Sequence, residues 1–196
     1  MNKTVLGCGA VALVAFLLLG LFGAGIYNNL VGLDEGVDSA WSQVENVYQR
    51  RADLIPNLVA TVQGAADFER ETFQAVTEAR SKVGQMRFDG APSSEQLAAF
   101  QQNQDALTSA LSRLMVVVER YPDLTATQSF RDLQAQLEGT ENRIAVERRR
   151  FNEVTREYNT ARRRFPAALL AGLLGFEAKA YFEAQPGSDE APKVEF

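Results

Sequence analysis

The sequence predicts an all-α membrane protein, with an N-terminal transmembrane helix followed by an elongated antiparallel (up-and-down) bundle of about four long helices. Three observations support this prediction. The chain begins with a long, uncharged apolar run. Beyond it, apolar side chains recur at alternating spacings of three and four residues, which indicates helices with coiled-coil-like packing. Prolines and glycines interrupt the chain too rarely for a barrel or sandwich of many short strands.

The first element is the run of residues 5–26, 22 positions without a charged side chain. A helix of that length rises about 33 Å and therefore crosses the hydrocarbon layer of a bilayer. A cleaved signal peptide is the rival interpretation, but its apolar core is usually shorter and Phe22-Gly23-Ala24 is a poor cleavage site. Cys8 ends a tetrapeptide like a lipoprotein box, yet only four residues precede that tetrapeptide. We interpret Cys8 as a small residue of the helix.

Flanking charge indicates how this helix is oriented. Residues 1–4 form a short N-terminal flank that carries Lys3 and the free amine. The other flank carries acidic residues and no Lys or Arg before Arg50; the acids are Asp34, Glu35, Asp38 and Glu45. Cytoplasmic flanks favour Lys and Arg. We therefore expect a single-pass protein of the bacterial inner membrane whose domain lies outside the cytoplasm.

Three apolar seams, each a line of side chains along one helix face, predict the bundle over residues 27–184. The first contains Val37, Trp41, Val44, Tyr48, Arg51, Ile55, Leu58, Val62, Ala65, Val76, Ala79 and Val83. The second contains Leu97, Phe100, Gln104, Leu107, Leu111, Leu114, Val118 and Tyr121. The third contains Phe130, Leu133, Leu137, Thr140, Ile144, Glu147, Phe151, Val154, Tyr158, Ala161 and Phe165. A repeat of 3.5 residues keeps each seam straight along its helix.

Breaks in the helical pattern are marked by turn and capping residues. Residues 88–93 predict a loop, and Ser93 with Gln96 forms a capping box for the next helix. We expect Thr125 with Gln128 to cap the third long segment. Pro166 then lies in the first turn of a short last helix. Scattered prolines and acids predict a flexible acidic tail over residues 185–196.

Pro56 leaves two architectures open. The favoured one is a continuous helix kinked at Pro56, because the seam keeps its phase across the proline and no glycine lies nearby. Residues 28–54 would then form a stalk in which Trp41 and Tyr48 lack partners from the same chain, which predicts self-association. A reversal at Pro56 would instead give four segments of similar length, roughly 28–54, 57–87, 94–120 and 128–163.

Composition excludes several classes of function. The chain contains no histidine, which removes histidine metal sites and the Ser-His-Asp and Cys-His types of catalysis. Its single cysteine excludes an intrachain disulfide and a zinc ribbon. A net charge of −5 argues against nucleic-acid binding. No phosphate or dinucleotide motif occurs, so we expect no cofactor and no small-molecule substrate.

Several tracts together resemble the LemA family of bacterial membrane proteins. They are residues 27–31, 40–45, 48–59, Tyr158-Asn159, 164–166 and 181–184. The tract over residues 50–59, Arg-Arg-Ala-Asp-Leu-Ile-Pro-Asn-Leu-Val, is the most specific, and the resemblance covers nearly all of residues 5–184. It implies one membrane helix and an elongated bundle of about four helices. It implies no established activity, and therefore no catalytic, cofactor or metal residues.

Polar and aromatic residues give a candidate interaction face: Arg50, Arg51, Asp53, Trp41, Tyr48, Arg148, Arg149 and Arg150. Alternatively, Arg51 pairs with a carboxylate inside the bundle and sets the register of its helices. Counting from the loops also predicts a buried polar contact between Glu147, Gln101 and Arg80. Residues 143–164 hold eight arginines against three glutamates. Such a face suits acidic headgroups or an acidic partner, or it neutralises acidic neighbouring helices.

Two functional hypotheses follow from these features. The favoured one is a membrane-anchored helical scaffold or interaction protein that is not an enzyme. It would bind the lipid bilayer through residues 5–26 and associate with a second copy or another protein. The alternative is a regulatory subunit of a membrane protease, or an enzyme that uses carboxylates. That alternative requires a cavity in which acidic side chains with raised pKa values face one another.

Overall fold

A computed structural model describes residues 3–63 and 70–183, with side chains from residue 13 onward. Within these ranges the chain forms helices and no strand, which confirms the all-α prediction. The helices are α1 (Lys3–Gln63), α2 (Arg70–Gly84), α3 (Ser94–Val118), α4 (Pro122–Thr125), α5 (Gln128–Arg163) and α6 (Ala167–Ala171). The seam residue Ala65 and the acidic tail over residues 185–196 lie outside the described residues.

Helix α1 joins the apolar run and the first bundle helix without interruption. In its N-terminal part the large apolar side chains are exposed: Leu13, Val14, Phe16, Leu17, Leu18, Leu19, Leu21 and Phe22. Among the described residues, this is the one helix long and apolar enough to cross a membrane. From Leu30 onward the seam residues are buried. Within about two turns, the apolar side chains of this helix therefore change from exposed to buried in the core of the bundle.

Pro56 lies inside α1, so the continuous helix predicted there is confirmed. Both sequence-derived architectures are nevertheless wrong about the reversal, because α1 ends at Gln63 and α2 runs back along it. A proline cannot donate to the carbonyl four residues earlier, which here belongs to Ala52. Arg80 of α2 donates its Nε–H to that carbonyl at 2.9 Å. The arginine replaces the missing hydrogen bond and holds α2 against α1.

The predicted stalk is wrong, because Trp41 is buried within its own chain and only 1% exposed. Four phenylalanine rings surround it, with centroids 5.3–6.0 Å away; they are Phe88, Phe100, Phe151 and Phe182. Helix α5 supplies one side of this cluster, since its 36 residues span about 54 Å and run antiparallel to α1. Self-association is therefore not required to bury Trp41.

The buried side chains form two cores, one toward each end of the bundle. The distal core, near the α1–α2 reversal, contains Ile55, Leu58, Val62, Phe73, Val76, Ala79, Val83, Leu107, Ala110, Leu114, Val118, Leu124 and Phe130. The proximal core, nearer the apolar run, contains Val37, Ala40, Trp41, Val44, Tyr48, Leu97, Phe100, Ile144, Phe151, Tyr158 and Phe182. Five helices contribute to the distal core, α4 through Leu124 alone. Non-helical segments complete the proximal core, because α2 ends at Gly84.

The helix ends agree in part with the predicted caps. Ser93 and Gln96 form the predicted capping box of α3. Thr127, not Thr125, caps α5, because Thr125 already belongs to the short helix α4. The third seam fails at its last residue: Phe165 is 82% exposed, since the chain leaves the helix at Arg164.

We expect Arg80→Met to destabilise the full chain in detergent by about 1–3 kcal/mol, because it leaves the Ala52 carbonyl without a donor. In a Pro56→Ala background the backbone N–H returns, so the same substitution should cost at least about 1 kcal/mol less. Urea unfolding, followed by the fluorescence of the single tryptophan, measures both values. The exposed Arg149→Met is the control. Equal losses in the two backgrounds would contradict the replacement of the proline hydrogen bond.

Candidate functional site

A buried arginine separates the two cores. Arg51, only 2% exposed, donates from Nη1 to the hydroxyl of Thr108 at 3.1 Å and to the carboxylate of Glu141. Its Nη2 donates to Oε1 of Gln104. We call Arg51, Gln104, Thr108 and Glu141 the polar layer. It joins α1, α3 and α5, so the predicted pairing of Arg51 with a carboxylate is confirmed.

The guanidinium of Arg51 also packs on an aromatic ring. Its central carbon lies 5.1 Å from the ring centroid of Tyr48, a cation–π distance. Burial raises the pKa of the Tyr48 hydroxyl, although the positive charges of Arg148 and Arg51 oppose that rise. Glu141 is half-exposed at the outer end of the layer. The ion pair is thus buried on the arginine side and open to water on the carboxylate side.

The predicted contact between Glu147, Gln101 and Arg80 is wrong. Arg80 binds the α1 backbone, and the carboxylate of Glu147 lies 4.0 Å from Arg150. The side-chain amide of Gln101 donates to the carbonyl of Glu183 at 3.4 Å. Loop-centred counting fails here because a non-helical segment runs along α5 at this level and takes up the side chain of Gln101.

That segment, residues 175–183, is the strap. Asn159 of α5 accepts from the backbone N–H of Lys179 at 3.1 Å and donates to its carbonyl at 2.8 Å. Asn152 makes the same pair of bonds with Phe182, at 2.9 and 3.0 Å. Seven helical residues rise about 10.5 Å, and three extended residues span about 10 Å. The distance between the two asparagines along α5 therefore equals the distance between Lys179 and Phe182 along the extended strap. Each asparagine pairs with one strap residue, as a residue of a neighbouring strand would.

Other side chains of α5 bind the strap through its carbonyl groups. Tyr158 donates its hydroxyl to the carbonyl of Glu177 at 2.8 Å, and Arg162 donates to that of Phe176 at 2.7 Å. Arg148 donates to the carbonyl of Glu183 at 3.1 Å and lies over the ring of Phe182. Part of the arginine-rich segment therefore serves as backbone hydrogen-bond donors rather than as a free charged face.

Charged groups tie the strap to the other side of the proximal core. Lys179 places its ammonium nitrogen 2.8 Å from the carboxylate of Asp34 on α1. Asp38, one turn further along α1, accepts from the backbone N–H of Ala91 at 2.8 Å. Sequence reasoning missed the strap. Its one visible signal was the pair of asparagines seven residues apart on an arginine-rich helix, Asn152 and Asn159.

The residues of the predicted interaction face do not share one surface. Three lie in the interior: Trp41, Tyr48 and Arg51. Arg148 is half-buried against the strap. The remaining four are exposed: Arg50, Asp53, Arg149 and Arg150. Trp41, Tyr48 and Arg51 therefore pack inside the bundle.

Two open grooves flank these elements. One, of about 400 Å³, lies between α3 and α5; its walls include Leu111, Met115 and Leu137, and the polar layer closes one end. The other, of about 780 Å³, lies between α1 and α5 and carries both charges, with Arg156, Arg164, Glu153 and Glu157. Across the part of the chain that the structure describes, no group of three or more acidic or cysteine side chains is placed to hold a metal ion.

Comparison with known proteins assigns the chain to a family. The model of the LemA family matches residues 40–196, most of the sequence. The chain belongs to the LemA family. This match includes the polar layer, the strap and the part of the bundle from residue 40 onward.

Curated relatives of this LemA-family chain include two magnetosome proteins. Magnetosome protein MamQ of Magnetospirillum gryphiswaldense is 28% identical over 209 residues, which covers 95% of this chain and 74% of the relative. Magnetosome protein MamQ 2 of Paramagnetospirillum magneticum is 27% identical over 182 residues, with coverages of 83% and 66%. Protein LemA of Metamycoplasma hominis is 24% identical over 157 residues, with coverages of 80% and 68%. None of these names denotes a catalysed reaction.

We expect Arg51→Ala to lower the free energy of unfolding by about 3–5 kcal/mol, because it opens a cavity and leaves the buried Oε1 of Gln104 without its donor. Glu141→Gln should cost less than about 1 kcal/mol, since water reaches that half-exposed carboxylate. Urea titration followed by tryptophan fluorescence measures both. If the exposed control Arg149→Ala costs as much as Arg51→Ala, the polar layer does not stabilise the bundle.

Burial raises the pKa of Tyr158 from 10.0 to about 12. The folded state therefore holds this proton more tightly than the unfolded chain, so the stabilisation is complete below pH 10 and is lost as the pH rises toward 12. We expect Tyr158→Phe to flatten the dependence of stability on pH in this window. Urea unfolding at a series of alkaline pH values, paired with tyrosinate absorbance, measures the change. An unaltered slope would exclude Tyr158 as the group that titrates.

Proposed function

We propose that this LemA-family membrane protein is a membrane-anchored scaffold for protein interactions, without a catalytic role. The observation that carries the proposal is the single helix α1, which joins the apolar run to the bundle without a break. Residues 27–63 rise about 55 Å. Because no loop intervenes between the apolar run and the bundle, α1 holds the bundle directly against the membrane surface.

The surface of the bundle is better suited to binding a partner protein than to catalysing a reaction. Two carboxylates of the bundle are paired with cations, Glu141 with Arg51 and Asp34 with Lys179. The groove between α3 and α5 offers apolar walls from Leu111 and Met115 in the distal half, far from the apolar run. An apolar side chain of a partner would fit there and cover the open end of the polar layer. No contact in the described part favours the carboxylate-enzyme alternative or the protease-subunit alternative.

A photo-crosslinking amino acid at Ser112, in this groove, tests the scaffold function in intact bacterial membranes. We expect a discrete crosslinked species, identified by mass spectrometry as a second copy or as one defined partner. The same probe at the exposed Arg149 tests the arginine-rich face, and we expect it to yield less product. Discrete crosslinks from neither position would argue against a scaffold that presents these surfaces.

The proposed orientation places the bundle outside the cytoplasm, and flanking charge supports it. In a Cys8→Ala background, Gln102→Cys on the exposed face of α3 should react with a membrane-impermeant maleimide in intact spheroplasts. Asn2→Cys, on the other side of the apolar run, should react only after lysis. Reaction at position 2 and protection at position 102 would reverse the topology while leaving the membrane helix intact.

A further inference from the structure

A second apolar surface lies at the proximal end of the bundle. Residues 165–174, the apolar loop, connect α5 to the strap and include α6. Leu173 is 84% exposed, and Phe165 and Leu169 are also mainly in solvent. Ala171, by contrast, is buried and anchors the loop on the bundle. Gly175 then turns the chain into the strap with a left-handed φ of 79°, which other residues adopt with strain.

This loop lies beside the point where α1 leaves the bundle. The ring of Phe176, just after the loop, packs edge-on against Tyr27 with centroids 5.7 Å apart. Tyr27 directly follows residues 5–26, and α6 packs on α1. The exposed apolar side chains of the loop are therefore held at the level where the uncharged run of α1 ends and the bundle begins.

Cationic side chains border this apolar surface. Arg163 and Arg164 immediately precede Phe165, and both are exposed. Segments that lie in the interface of a bilayer with anionic lipids combine apolar side chains with neighbouring Lys or Arg side chains. Long arginine side chains reach the phosphates while the apolar groups beside them enter the acyl region.

We propose that the apolar loop inserts into the bilayer interface on the bundle's side of the membrane, as a second membrane contact. This inference rests on the proposed function, in which α1 spans the bilayer. Continuity with α1 favours lipid over a second copy of the chain, because the loop and the spanning helix meet the same surface. Two attachments, one spanning and one interfacial, fix the tilt and rotation of the bundle, which a single helix cannot do.

Depth-dependent quenching of a fluorophore tests this contact in the full chain. In a Cys8→Ala background, Leu173→Cys carries an environment-sensitive dye, and the protein is reconstituted in nanodiscs of phosphatidylcholine and phosphatidylglycerol with one chain per disc. We expect blue-shifted emission and stronger quenching by lipids that carry the quencher just below the headgroup than by lipids that carry it at the chain end. This order corresponds to a depth of about 5–10 Å. One chain per disc excludes burial against a second copy.

Two further labels separate this inference from the proposed function. Leu17→Cys lies in the apolar run and should be quenched most by the deep probe. Val116→Cys, an exposed apolar position in the distal half, should be quenched by neither. If position 17 is quenched and position 173 behaves like position 116, the loop does not enter the membrane and the spanning helix stands. If position 17 is not quenched, the spanning helix fails and the inference falls with it.

A charge within the loop provides the matched variant. Leu169→Glu should reduce quenching at position 173 to the level of the label at position 116, because a carboxylate resists transfer into the interface. The fluorescence of Trp41 should stay unchanged, since Leu169 is exposed and lies outside both cores. Val116→Glu should leave quenching at position 173 unaltered. If Leu169→Glu also leaves it unaltered, the dye rather than the loop has partitioned, and the proposal is overturned.

Discussion

The structure depends on covering one long apolar seam. Helix α1 presents buried side chains from Leu30 to Val62, a length of about 48 Å. Among the helices of the described residues that pack on α1, α5, with 36 residues, is the one long enough to follow the whole seam. Helix α2 has 15 residues and covers the distal half. The proximal half must be closed by other means, and the loop before α3 and the strap after α6 provide them.

This difference in helix length explains why different types of side chain fill the distal and proximal cores. The distal core is mainly aliphatic, with Phe73 and Phe130 as its aromatic members, and helices build all of it. The proximal core is built on rings around Trp41, and the non-helical segments supply two of those rings, Phe88 and Phe182. The polar layer lies between the distal core and the proximal core. Within the described residues the Nε of Arg51 has no hydrogen-bond partner, so the layer is better suited to fixing helix register than to maximising stability.

The sequence predicts much of the helical part, because burial follows periodicity. The seam from Val37 to Val62 is buried as expected, and so is most of the seam on α3. The reversal between α1 and α2 escapes prediction for a physical reason: both helices carry a seam, and Val62 and Val76 lie 14 residues apart, which keeps the 3.5-residue phase. Periodicity therefore gives no sign of the change in direction. The reversal in turn brings residues 85–93 beside α1, which removes the exposed stalk.

The strap could not be predicted from pattern, because the contacts that hold it are made to its backbone. Asn152 and Asn159 recognise an N–H and a carbonyl that any residue except proline offers. Sequence in the strap is thus constrained chiefly where a side chain enters the core, as at Phe182. The arginines of α5 follow the same logic, since Arg148 and Arg162 donate to carbonyl groups. A count of arginines along α5 therefore overstates how many are exposed on the surface, and the exposed ones lie chiefly near the groove beside α1 and the apolar loop.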